Sequence, residues 1–259
     1  MIKELNRKSQ VTIFIIAGVV LIALVALLFL FRGKNIIEVF TPGASTPETY
    51  IEKCVKEASS NAIDIMLGHG GYIDPKNSIL YQDKNIQYLC YTNKYYYPCV
   101  NQEPMYITRL EEEIKGYIKD KVEDCFYSLK QDYEGKNYVV SLGTSNLKVD
   151  LIPKQVEIII DKKVEIAKNE QTERFDSFKV KFNNPLYDLA LVAIEAVNQE
   201  ARFCYFEYLG YMMLYPSVEI EKKAVGEAET SSKIYTIMDR VTSKKLYIAI
   251  RSCAFPPGL

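Results

Sequence analysis

Residues Val11 to Phe31, VTIFIIAGVVLIALVALLFLF, run for 21 positions without a charge. At ~1.5 Å of rise per residue such a helix reaches about 31 Å, and the hydrocarbon core of a bilayer is roughly 30 Å thick. Arg7 and Lys8 bound the run on one side and Arg32 on the other. The pattern predicts a single transmembrane helix over 11–31, with a short tail (1–10) before it and a domain held at the membrane surface after it. The tail carries Lys3, Arg7 and Lys8 against Glu4. The positive-inside bias therefore keeps the N-terminus cytoplasmic and exports the rest. A cleavable signal peptide would have a shorter apolar region and a small-residue cleavage site. Leu27 to Arg32, LLFLFR, offers none, so the expectation is an uncleaved, single-pass signal-anchor at the cell membrane with an extracellular C-terminal domain.

All six cysteines (Cys54, Cys90, Cys99, Cys125, Cys204, Cys253) follow the run. An even number confined to the exported part points to disulfides in an oxidising compartment. Zinc is disfavoured because no CxxC pair exists and His69 is the only histidine. Subtracting the tail's charge of +2 from the chain's −1 leaves −3 for the remainder, so nothing here favours nucleic acid or anionic lipid.

About 225 residues follow the run, enough for one sizeable core or two small ones. Residues 32–46 read as a stalk, broken by TPGAST. Thr46-Pro47-Glu48 is a helix start, with a hydroxyl cap, proline in the first turn and an acid behind it. Ile51, Cys54, Ala58, Ala62, Ile65 and Met66 then keep helical spacing to Leu67-Gly68. His69-Gly70-Gly71-Tyr72 turns the chain; without a following Lys-Ser/Thr it is no phosphate loop. Residues 75–104 read as irregular, with Cys90 and Cys99 closing a tyrosine-rich loop. A long amphipathic helix follows Pro104, with Ile107, Leu110, Ile114, Ile118, Val122, Cys125 and Leu129 inward and Glu111, Glu112, Glu113 and Glu123 on a solvated face. Cys54 and Cys125 fall on apolar faces and can meet across two packed helices, making 47–134 a cysteine-containing helical region.

From Tyr138 the period becomes two. YVVSL, LKVDLI, QVEIII, KVEIAK and FDSFKVKF read as short strands of an antiparallel meander, with turns at Gly143–Asn146, Pro153-Lys154, Asp161-Lys162 and Lys168–Glu173. Asn184-Pro185 starts a helix, LYDLALVAIEAV, apolar nearly all round and expected to be buried across that sheet. IYTIMDR and KLYIAIRSC form a closing hairpin, from which Cys253 can reach Cys204. The fold class expected is α+β: a transmembrane helix, then an exported helix pair with an antiparallel β-meander packed on a buried helix (135–259).

No catalytic constellation emerges. A Ser-His-Asp or Cys-His site needs an imidazole beside its nucleophile, and His69 has only Asp74 near it in sequence. Acids such as Asp161 and Asp176 belong at strand edges. No cofactor or metal is expected. The partners expected are the membrane and an unidentified protein or envelope component, with assembly into a homo-oligomer left open and no nucleic acid. Tyr91, Tyr95, Tyr96 and Tyr97 in the loop are the candidate contact residues.

Arg7 to Ile16, RKSQVTIFII, resembles the "GQVTIFII" opening of uncharacterised single-span, membrane-anchored surface proteins of archaea with small genomes. Cys54 in the first helix, Gly70-Gly71-Tyr72-Ile73, Cys125, the strand-rich middle and the closing IYTIMDR…LYIAIRSC fit that pattern too. The resemblance implies location and architecture, and no activity. Gln10-x-Thr12-x-Phe14 is also similar to the class III signal of archaeal type IV pilins, Gln-x-Ser-x-Glu before a hydrophobic helix, with Phe14 in place of the acid. That likeness implies a pilin-like filament subunit as the alternative to a non-enzymatic anchored surface protein. An envelope enzyme using His69 is the third reading.

Overall fold

The computed structural model describes Gly18 and residues 46–94, 96–226 and 231–253. The tail, the remainder of the apolar run 11–31 and all of the stalk but Thr46 lie outside the described residues. Among those described, no helix is long and apolar enough to cross a membrane. Residues from Thr46 onward form one compact α+β unit with four helices and two sheets.

Helix α1 (Pro47–Gly68) starts as its sequence dictates, the Thr46 side chain accepting from the Thr49 N–H. Ile51, Val55, Ala58, Ala62, Ile63 and Met66 are buried, and Cys54 sits half-buried at the edge of that stripe. Gly70 and Gly71 turn the chain with φ of +73° and +88°. At Gly71 a Cβ would strike the Tyr106 hydroxyl and the Leu110 side chain, so glycine is required both by the left-handed backbone and by the close approach of the next helix. That helix, α2 (Tyr106–Glu134), spans 29 residues and buries Leu110, Ile114, Ile118, Val122, Phe126 and Leu129 along one face. Cys54 and Cys125 are disulfide-bonded across the pair, Cα atoms 6.0 Å apart.

Three antiparallel strands cover the helix pair: β4 (Val139–Ile152), β5 (Gln155–Lys168) and β6 (Gln171–Asn183). The meander exists, but its five short segments are three long strands. The turns at Pro153-Lys154 and Asn169-Glu170 are real. Those expected at Gly143–Asn146 and Asp161-Lys162 are instead register shifts, between Leu142 and Ser145 and between Asp161 and Val164. Bulges and turns draw on the same glycine and polar residues, so composition does not separate them.

The second sheet is mixed. Strands β1 (Ser78–Tyr81), β2 (Lys84–Tyr91), β3 (Val100–Asn101), β7 (Val218–Val225), β8 (Ser232–Asp239) and β9 (Lys245–Ile250) lie in the order β1-β2-β9-β8-β7, with β3 on β2. The β8–β9 hairpin is the expected one. Residues 75–104, expected to be irregular, supply three strands, and β2 runs parallel to β9. Helix α3 (Leu186–Phe203) begins where Asn184 accepts from the Leu186 N–H. It packs mainly on the mixed sheet rather than across the meander, which α1 and α2 already cover. Its last turn leads through a left-handed Cys204 into the seven-residue helix α4 (Tyr208–Leu214). One continuous apolar core joins residues from both 47–134 and 135–259.

Candidate functional site

The tyrosine loop sits at a corner fixed by two disulfides. Cys90 ends the buried part of β2 and is bonded to Cys99, Cα atoms 5.4 Å apart. Cys204, capping α3, is bonded to Cys253, Cα atoms 5.5 Å apart. These three pairings are the ones read from the spacing. Hydrogen bonds knit the two bridges together: the Cys99 N–H donates to Ser252 Oγ (3.2 Å), Ser252 Oγ to the Glu200 carbonyl (3.3 Å) and the Cys253 N–H to the Tyr97 carbonyl (3.2 Å).

A buried charge underlies this corner. Glu200, wholly inaccessible, accepts from Lys233 Nζ at 2.6 Å and from the Tyr235 hydroxyl at 2.5 Å. Lys233 Nζ also donates to the Cys204 carbonyl at 2.7 Å. Burial, reinforced by the Glu200 charge, pushes the Tyr235 phenol well above its usual range. The Glu200 carboxylate, the Lys233 ammonium and the Tyr235 hydroxyl thus all have partners, as burial demands, and the network fixes the last turn of α3 to β8.

On this base Tyr96 and Tyr97 project into solvent, 60% and 50% exposed, with ring centroids 4.8 Å apart. Lys94 Nζ lies 5.4 Å from the Tyr97 ring. Tyr95 lies outside the described residues. Tyr91 belongs to a different surface, the outer face of the mixed sheet. There it meets Tyr88 edge-on at 5.1 Å and accepts a hydrogen bond from Arg251 Nη1 at 3.2 Å. Ile86, Tyr88, Ile234 and Ala249 make a small second cluster on that face, to which no described helix contributes. Tyr81, Tyr91 and Tyr247 flank it, each beneath a cation: Lys223 at 5.7 Å, Arg251 at 5.6 Å and Lys84 at 4.9 Å. Sequence reasoning missed this platform; one tyrosine in each of β1 and β9 and two in β2 were its only signal. Aromatic rings paired with cations can bind polar and aromatic partner groups without covalent chemistry.

His69 lies in the turn after α1. Its carbonyl accepts from the Gln87 N–H at 3.3 Å, and its Nδ1 is buried without a partner. The glycine turn serves the core, the Tyr106 hydroxyl donating to the Gly70 carbonyl at 3.0 Å. Asp161 and Asp176 are exposed on β5 and β6. Among the described residues no group of three or more His, Cys, Asp or Glu side chains is placed to hold a metal ion. The glutamates of α2 are not merely solvated: Glu111 accepts from the Leu151 N–H at 2.8 Å and Glu113 from the Ile73 N–H at 3.0 Å. No protein-family model, no curated protein and no solved structure matches this chain.

Proposed function

We propose that this chain is a single-pass, membrane-anchored extracellular protein with a structural or partner-binding role in the cell envelope. The observation that carries the reading is the set of three disulfides, all in the domain that follows the charge-free run 11–31. Such bonds persist in oxidising compartments and are rare in the cytosol. With Lys3, Arg7 and Lys8 before the run, the tail stays in the cytoplasm and residues 47–259 lie outside. The contact surface is the loop bearing Tyr96 and Tyr97, with Tyr91 and Tyr95 as neighbours in sequence; its partner is a protein or another envelope component. No catalytic role is assigned.

Protease added to intact cells is expected to remove the domain, and thiol counting in denaturant without reductant to find no free cysteine. A domain spared in intact cells but digested from the cytosolic side, or six free thiols, would overturn the location. Tyr96→Ala with Tyr97→Ala is expected to lower binding of the purified protein to isolated envelopes several-fold while leaving its melting temperature unchanged. The pilin-like alternative rests on Gln10 and Thr12, and the intact mass of native protein separates the two. Loss of the first nine residues favours the filament subunit; a retained N-terminus favours the anchor.

A further inference from the structure

Helix α4, YLGYMML, is the one described helix with no buried residue. Its inner side, Tyr208, Tyr211 and Met212, rests half-buried on the core. Its outer side is as apolar as its inner side: Met213 is 85% exposed and Leu214 78%. Leu191, Phe203, Tyr205, Leu209 and Tyr215, all within the same stretch of chain, are between 40% and 62% exposed. A helix that is apolar all round belongs in a buried setting. Apart from the Tyr96–Tyr97 pair, large apolar side chains such as Val139 and Val241 are also exposed elsewhere on the domain, and scattered exposure of that kind needs no explanation.

The geometry points to a second copy of this chain as the occupant: we propose that the α3–α4 face is an isologous homodimer interface. Three observations support this assignment. Taking a fully exposed large side chain as about 200 Å², the seven residues offer roughly 800 Å² of surface. That is close to the ~800 Å² per partner of a standard interface. The face also carries its own complement. Leu209 and Met213 adjoin an open groove of about 610 Å³ between α3 and α4, lined by Leu191, Gly210, Tyr211, Leu214 and Tyr215 among others. A two-fold axis sets Leu209 and Met213 of each copy into the groove of the other, and methionine adapts its shape readily to such a fit.

Arg202 lies over the Phe203 ring and Lys222 over the Tyr205 ring, balanced by Glu195 and Glu207 at the border of the groove, so the face carries no surplus of cations to draw it to lipid phosphates. Both glutamates are already engaged within the chain, Glu195 accepting from Gln199 Nε2 at 2.6 Å and Glu207 from the Gly210 N–H at 3.3 Å. Neither has to lose a partner when a second copy closes over the groove.

The test uses the full chain with a photo-cross-linking residue in place of Met213, irradiated in native membranes. The expected product has twice the chain's mass and yields peptides of this chain alone. Adducts to lipid, to a different protein or within one copy overturn the proposal. A second measurement removes the apolar run as a cause of pairing. In detergent, the wild-type chain is expected to be dimeric by light scattering, and Met213→Glu with Leu214→Lys monomeric, with all three disulfides and the melting temperature retained. A wild-type monomer, or a dimer indifferent to both substitutions, is the contrary result.

Discussion

At the scale of single residues, Lys162 shows how strand alternation can override side-chain polarity. The pleat of β5 points Val156, Ile158, Ile160, Val164 and Ile166 inward, and position 162 shares that parity. Its side chain is only 3% exposed. The ammonium reaches past the Phe126 ring, 5.2 Å away, to Glu123 Oε2 at 2.8 Å, and Glu123 also accepts from the Ser145 hydroxyl. Burial pushes the Glu123 carboxyl up, but the hydrogen bonds from Lys162 and Ser145 and the charge of Lys162 outweigh it and hold the group below the usual carboxylate range. Removing one member of a fully buried pair costs ~3–5 kcal/mol. Glu123 is 47% exposed, so water screens the loss, and Glu123→Gln is expected to cost about 1–2 kcal/mol. Lys162→Met keeps the stem and removes the buried charge, but forfeits the pairing and leaves the half-exposed Glu123 to water, and is expected to cost less than Glu123→Gln. Thermal melts at pH 7 give the order: Glu123→Gln lowest, Lys162→Met between it and the wild type. The pH dependence has a definite sign, because a carboxyl with a depressed folded pKa adds stability above its unfolded value, roughly 4.3, and loses it as pH falls through the lower folded value. The wild-type advantage over Glu123→Gln should therefore vanish on acidification below about pH 4. Equal melting temperatures at pH 7 would remove this account.

At the scale of elements, legibility followed the range of the interactions that make each one. Helices α1 and α2 could be read because their causes are local: Thr46 and Pro47 at the start of one, a 29-residue apolar stripe in the other. The disulfide between them was readable because both cysteines fall at apolar positions of helical spacing. Strand β2 could not be read, since its pairing places Tyr88 opposite Ala249, far along the chain, and no local pattern announces so distant a parallel neighbour. Helix α4 was missed because seven apolar residues without polar periodicity give no helical signal. The loop corner was half legible: the Cys90–Cys99 ring is local, whereas the buried Glu200–Lys233–Tyr235 contacts that support it join separate elements. Disulfide energetics separate the elements as well. In the chain-entropy model a bridge with a sequence separation of 71, as for Cys54–Cys125, contributes about 4 kcal/mol, and one with a separation of 9, as for Cys90–Cys99, about 2.6 kcal/mol. Both are upper bounds. Cys54→Ala with Cys125→Ala should therefore lower the melting temperature more than Cys90→Ala with Cys99→Ala, by several degrees at about 2–4 °C per kcal/mol. The reverse order in calorimetry would show that native packing at the loop, rather than the length of chain enclosed, sets the contribution.

At the scale of the whole molecule, the sequence suggests a helical region over 47–134 and a sheet region over 135–259, but the two are not separable bodies. Strand β2 comes from the first region and lies between β1 and β9, so its buried residues Ile86, Tyr88, Leu89 and Cys90 depend on a strand from the second. Conversely, the apolar face of the meander is covered by α1 and α2, whose sequences precede it. Each fragment taken alone would expose a sheet edge and a large apolar face, the conditions under which chains aggregate rather than fold. A single cooperative transition is therefore expected for residues 46 onward, with disulfides intact. The chain lacks tryptophan and has 20 tyrosines, so near-UV dichroism reports tyrosine packing while far-UV dichroism reports the helices. The two melting curves should superimpose, and 47–134 and 135–259 expressed separately should show no cooperative melt. If either fragment unfolded cooperatively by itself, the pairing of β2 with β9 would be a docking contact between two domains instead of the seam of one core.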